Sequence, residues 1–184
     1  MYEQVVLVNK KDEAIGLMDK LEAHKKGALH RAVSVFIFNS DNQLLIQRRS
    51  LGKYHTPGIW SNTACSHPRN NESSILCANR RLFEEMGIIA KIRPVFNFLY
   101  KAEFSNNLIE HELDHVFIGF TNKKPNPNPE EVCDWKYVDK TSLRKLLNDT
   151  PETFSPWLKM CYERAFQNEY KLNSKELMDY EFNI

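Results

Sequence analysis

Within Ser61-Asn62-Thr63-Ala64-Cys65-Ser66-His67-Pro68 a thiol stands two residues from an imidazole, in a turn stiffened by Pro68 and just ahead of a stretch rich in Arg and Glu. Free cysteine is more often a small buried hydrophobe than a catalyst. Cys65, however, lies in a loop and is followed by Ser66-His67. An ordinary thiol, with a pKa of about 8.5, is mostly protonated at neutral pH and can donate a proton as well as attack. Farther along, Glu110-His111-Glu112 falls in a run that reads as a strand, so Glu110 and Glu112 share one face. Two carboxylates side by side resist ionisation unless a cation lies between them. The bland alternative is a solvent-facing edge strand. Imidazole and carboxylate together suit zinc, manganese or iron, and His24, His30 and His67 are available to complete such a site. His55, His111 and His115 read as ordinary polar surface residues. The basic residues Lys20, Arg48, Arg49, Lys53, Arg80 and Arg81 are spread over the first half of the chain. Forked guanidinium donors match phosphate oxygens, and Mg²⁺ commonly assists at a diphosphate. For any one of these residues a solvated face is the simpler reading, and at most one of Arg80 and Arg81 faces the loop. The combination points to a metal-dependent site acting on an anionic substrate.

The elements that must position these groups are legible in outline. The first 35 residues read as short strands and a loop, with Val5–Val8 apolar, a polar break at Lys10–Glu13, and His24 to His30 in the loop. Ala32–Phe38 and Leu44–Arg48, separated by Asn39-Ser40-Asp41-Asn42, predict a hairpin. Ser50–Pro68 is dense in Gly, Pro, Ser and Asn, a long shaped loop of the kind that is usually functional. Asn71–Met86 predicts a helix: Asn71 or Ser73 caps it, Ile75, Ala78, Leu82 and Met86 recur at helical spacing, and Gly87 suits the position after its end. Strands are expected at Ile88–Ile92, Val95–Phe104, Leu108–Phe120 and Val132–Val138. The alternating prolines of Lys123–Pro129 predict an exposed, extended loop. A short helix is expected over Ser142–Leu147, and Ser155-Pro156 is a good N-cap and first-turn pair for a last helix through Trp157 and Met160. The order of elements indicates an α+β sandwich with a mixed sheet. One domain over residues 1–184 is expected, with about 172–184 a polar tail whose structure is left open.

Composition narrows the class. A chain of 184 residues, 42% hydrophobic and 11% aromatic, suits one globular domain with a normal core. A net charge of +1 gives no bulk pull toward nucleic acid or membrane, so neither is an expected partner. No apolar run approaches the ~18–20 residues that span a bilayer. Met1-Tyr2-Glu3-Gln4 lacks the basic-then-apolar order of a signal peptide. Cys65, Cys77, Cys133 and Cys161 form no CxxC pair, so a reduced, cytoplasmic setting is the simplest reading.

The run Arg80-Arg81-Leu82-Phe83-Glu84-Glu85-Met86-Gly87-Ile88, with Glu72 upstream, resembles a Nudix box. It departs in two places: Ser66 stands where the leading glycine belongs, and Arg81 replaces the glutamate after the first arginine. Together with Asn62–Pro68, Glu110-His111-Glu112 and Phe154-Ser155-Pro156-Trp157, the altered box resembles the type I isopentenyl-diphosphate isomerases, in their compact bacterial form, over roughly residues 3 to 170. The resemblance implies a Nudix-like fold and interconversion of isopentenyl and dimethylallyl diphosphate in isoprenoid biosynthesis. It implies Cys65 and Glu112 as the two catalytic groups on either side of the substrate. Tyr100 would be the hydrogen-bond partner of the glutamate, and Trp157 the shield of the carbocation. It also implies a divalent-metal site (Mn²⁺ or Zn²⁺) made by His24, His30, His67, Glu110 and Glu112, and Glu85 as ligand of a Mg²⁺ bridging to the diphosphate. Lys20, Arg49, Lys53 and Arg81 would contact the diphosphate. A monomer or weak homodimer is expected. A Nudix hydrolase would instead retain the glutamate at position 81 and need neither Cys65 nor the histidines. A non-catalytic metal-binding domain would not explain a thiol, an acid and phosphate-binding residues arriving together.

Overall fold

The computed structural model describes residues 3–53, 55–104 and 106–172. Its centre is the parallel pairing of β3 (His30–Phe38) with β8 (Ile109–Phe120), in register from His30 opposite Glu112 to Phe38 opposite Phe120. A parallel pair must be covered on both faces, and its strands then read as nearly continuous apolar runs. Every residue of β3 except Arg31 is buried. Its alternation divides the core. Phe36 and Phe38 pack toward α3 (Lys140–Asp149) and α4 (Pro156–Lys171), against Leu143, Leu158 and Phe166. Val33, Val35 and Ile37 pack toward α2 (Ser74–Met86), against Ala78, Leu82 and Met86.

Around this pair the sheet is mixed, as the predicted α+β class requires. β7 (Ile92–Glu103) runs antiparallel to β8. β4 (Leu44–Arg49) joins the end of β3 to β9 (Val132–Val138). β1 (Gln4–Val8) and β2 (Ala14–Asp19) form an outer hairpin, and β6 (Ala64–Ser66) pairs with the middle of β3.

Several boundaries differ from the sequence reading, each for a physical reason. The segment before His30 is not only strand and loop: β2 is followed by a short helix, α1 (Lys20–Lys26), which Asp19 caps by accepting the Glu22 N–H at 3.0 Å. Helix α2 begins at Ser74, because Asn71 adopts a left-handed backbone (φ 61°) and Ser73 provides the cap. Ile88 to Lys91 do not form a strand; Ile88 is buried beneath α2, and β7 starts at Ile92 and runs through Pro94 with an irregularity beside it. Within the long Ser50–Pro68 segment lie two short strands, β5 (Trp60–Ser61) and β6. The proline-rich loop is extended but not fully exposed. Pro125 is buried, and the Asn126 and Asn128 N–H groups donate to the Met86 and Glu85 carbonyls, closing the end of α2. Gly87 makes that crossing feasible: its φ is 63°, and a Cβ there would lie 2.5 Å from the Asn126 carbonyl oxygen. Helix α3 is longer than expected, since Asp139 caps it ahead of Ser142. Ser155 caps α4 as expected. The tail expected at about 172–184 lies, apart from Leu172, outside the described residues.

Candidate active site

Four side chains from four elements converge above the start of the parallel pair. His30 opens β3 and lies directly opposite Glu112 of β8. His67 follows β6, and His24 sits on the last turn of α1, buried. One ligand atom from each of His24, His30, His67 and Glu112 can be chosen so that all four lie within 4.8 Å of one another. The Nδ1 atoms of His24 and His30 face backbone carbonyls, Lys20 O at 2.6 Å and Ala28 O at 2.8 Å, which turns each Nε2 away from the chain that carries it. Such outer contacts fix ligand orientation in metal sites. His67 Nε2 lies 2.9 Å, and His30 Nε2 3.5 Å, from the same Glu112 oxygen. His30 Nε2 is fully buried without a hydrogen-bond partner, a costly condition that a bound cation relieves. Burial, reinforced by His30, pushes His24 below the ordinary histidine range, and burial takes His67 down to about 3 against the pull of Glu112. Neutral imidazoles are what a metal requires. The residues present therefore fit a divalent ion.

Glu110 stands beside this group. The Tyr100 hydroxyl is shared between Glu112 Oε2 (2.6 Å) and Glu110 Oε2 (2.9 Å). Burial and the neighbouring Glu112 raise Glu110 well above the carboxylate range. Burial also raises Glu112, but the imidazoles facing it, above all His67 at 2.9 Å, more than offset this and hold Glu112 low. The two carboxylates are thus pushed in opposite directions, Glu110 up and Glu112 down. Both glutamates are buried on a central strand, which removes the solvent-facing edge-strand reading. His55 was expected at the surface and is instead buried, with Nδ1 3.4 Å from Glu110 Oε1; burial, then Arg49, takes it down to about 3. His111 and His115 are half-buried, the first facing the Gly27 carbonyl at 3.0 Å and the second 3.0 Å from Asp12.

Beside these groups opens a cavity of about 280 Å³, lined by Cys65, Glu112, Tyr100 and Trp157 together with Lys20, Arg49, Lys53 and Arg81. Burial pushes the Cys65 thiol up to about 12, despite the Arg49 guanidinium 3.6 Å from its sulfur, so it stays protonated at neutral pH. Arg49 is aimed by two carbonyls, Thr56 O and His55 O, each at 3.1 Å. The other cations are held by carboxylates: Lys20 by Glu3 at 3.0 Å, Lys53 by Glu131, and Arg81 by Glu131 (2.7 Å), Glu84 (2.8 Å) and Glu85 (3.0 Å). Of the two adjacent arginines only Arg81 reaches the cavity; Arg80 pairs with Glu72 and Glu84. Glu85 is buried behind Arg81, its second oxygen accepting from Gln47 Nε2 at 2.5 Å. Glu3 and Glu131 went unnoticed in the sequence because no motif or periodicity marks them.

Residues 28–158 match the NUDIX domain. Over 165 residues the chain is 50% identical to isopentenyl-diphosphate Delta-isomerase 2 of Aromatoleum aromaticum, covering 90% of this chain and 87% of that one. It is 46% identical to the isopentenyl-diphosphate Delta-isomerase of Pectobacterium atrosepticum, covering 90% and 96%. The chain belongs to the isopentenyl-diphosphate isomerase family. Solved structures agree on the fold: DR0079 from Deinococcus radiodurans superposes with a TM-score of 0.67 at 22% identity, over 80% of this chain and 90% of that one. A MutT protein from Methanosarcina mazei Go1 gives 0.60 at 22%, over 78% and 96%. This isomerase-family chain thus carries the NUDIX fold with an arginine, Arg81, on the cavity wall. No described helix is long and apolar enough to cross a membrane.

Proposed function

We propose that the protein interconverts isopentenyl diphosphate and dimethylallyl diphosphate by adding a proton at one carbon and removing one beside the resulting tertiary cation. The observation that carries this reading is that a thiol, Cys65, and a carboxylate, Glu112, line one cavity with four cations and an indole. Protonation and deprotonation need one group that holds a proton and one that is ready to accept it. Cys65 and Glu112 take these opposite halves, exchanging roles when the reaction runs backwards. Tyr100 holds Glu112 in place through its 2.6 Å hydrogen bond. Trp157 presents an apolar, electron-rich surface that attracts the cation and keeps water from it. Lys20, Arg49, Lys53 and Arg81 bind the diphosphate, displacing the carboxylates that hold three of them. His24, His30, His67 and Glu112, with Glu110 beside them, would hold a divalent ion, manganese or zinc, and Glu85 would serve a Mg²⁺ at the diphosphate once Arg81 and Gln47 release its oxygens. The ion in the histidine site would tune the acidity of Glu112.

Incubation with isopentenyl diphosphate and product analysis tests the reading: dimethylallyl diphosphate is expected, and release of phosphate or pyrophosphate without it would overturn the isomerase assignment. Metal dependence gives a separate test. Stripping the protein with chelator should abolish activity, a transition ion plus Mg²⁺ should restore it, and His67→Ala should lower the bound metal measured by elemental analysis. Full activity of metal-free protein without added ions would remove the histidine site from the mechanism.

A further inference from the structure

The indole of Trp157 is not held by packing alone. Its Nε1–H donates to Asn62 Oδ1 at 2.9 Å, although the two residues lie 95 positions apart. Asn62 is fully buried, and its amide uses its whole hydrogen-bonding capacity. Oδ1 also accepts from Ser61 Oγ at 2.9 Å, and Nδ2 donates to Ala64 O at 2.7 Å and Val35 O at 3.2 Å. With both donors committed to carbonyls, the amide cannot turn over without leaving them unpaired, so the acceptor facing the indole is fixed. The same knot reaches the start of α4: Ser61 Oγ meets Ser155 Oγ at 3.1 Å, and the Ser155 N–H donates to Trp60 O at 2.9 Å. Asn62 is three residues from Cys65, which β6 carries and not the loop expected from the sequence, so one short segment presents the thiol and fixes the ring.

We infer that Asn62 is the positioning residue for Trp157: it sets the plane of the indole over the reacting carbons, and so decides whether the tertiary cation loses a proton or meets water. This rests on the proposed isomerisation. A tilted ring opens one face of the cation. Water then attacks the tertiary carbon, a C–O bond forms, the water's extra proton passes to solvent, and the product is a tertiary alcohol diphosphate. A residue that only stabilised the fold would change the amount of active protein, not the partition between alkene and alcohol.

The experiment compares wild type, Asn62→Ala, Trp157→Phe, their double variant and Ser61→Ala, scoring kcat, KM and the alcohol-to-alkene ratio. Asn62→Ala should lower kcat by about 10- to 100-fold, the scale expected for a misplaced ring, change KM less than about threefold, and yield tertiary alcohol. Its effect should largely vanish in the Trp157→Phe background, where there is no N–H to hold. Ser61→Ala leaves the Trp157–Asn62 bond in place and should lower the melting temperature without altering the ratio. If wild type makes dimethylallyl diphosphate and Asn62→Ala matches it in kcat and ratio, the positioning role is wrong while the isomerase reading stands. If wild type makes none, the isomerase reading itself fails. Should Asn62→Ala not fold, solvent exchange of the wild-type indole N–H groups decides the matter. The Trp157 signal should exchange far more slowly than those of half-buried Trp60 and Trp135, and equal rates would overturn the inference.

Discussion

Cys65→Ala and Glu112→Gln should each lower turnover by about 10²–10⁴-fold or more, the range typical of removing a positioned acid or base. Both variants are expected to fold and to bind diphosphate, because Lys20 is held by Glu3, and Lys53 and Arg81 by Glu131, not by either residue. Glu112→Gln keeps an oxygen for Tyr100 and loses the ability to accept a proton. Cys65→Ser should retain at most a trace, since a hydroxyl is a far weaker acid than a thiol. In heavy water the wild type should carry deuterium into the allylic product, and neither variant should do so above background. Wild-type turnover in Cys65→Ala would make the thiol structural and remove the central residue of the mechanism.

Arg81→Glu is expected to be as damaging through binding. A hydrogen bond to a charged partner contributes about 1.5–3 kcal/mol, and charge reversal adds repulsion. Affinity for inorganic pyrophosphate, measured by calorimetry, should therefore fall by about 10²-fold or more, at 1.4 kcal/mol per tenfold. The variant would also crowd a fourth carboxylate against Glu84, Glu85 and Glu131, which now share the guanidinium. Rebuilding the glutamate pattern of the box should yield no useful hydrolysis. Unchanged pyrophosphate affinity and KM would place the residue outside the substrate site.

What was legible in the sequence follows from which forces are local. Helix α2 could be read because Ala78, Leu82 and Met86 recur on its buried side, and α4 because Ser155-Pro156 is a strong local start signal. Helix α1 was missed because it has only seven residues, of which Ala23 and His24 alone are buried, so it presents no apolar stripe. β2 is an exposed outer strand interrupted by Gly16, and its pattern carries as little signal. Motif spacing brought Cys65, Glu112 and the histidines forward as a set. It said nothing about His55, whose burial against Glu110 is created by the fold around a loop, nor about Glu131, whose partners come from other elements.

The four ligand candidates also bear on the order in which the molecule is built. His67 and Glu112 are 45 positions apart, and Glu112 takes its place only when β8 zips along β3. Until residue 112 has left the ribosome and that pairing has formed, the chain can offer an ion only scattered histidines. If the four hold an ion as proposed, its capture would follow the pairing of β8 with β3 and report on it. An ion that binds only the finished site deepens the native basin, by about 4.1 kcal/mol when present at 1,000 times its dissociation constant. A fragment that stops short of β8 would gain none of this, so the proposed ion would favour chains that have paired β8 with β3 over those that have not.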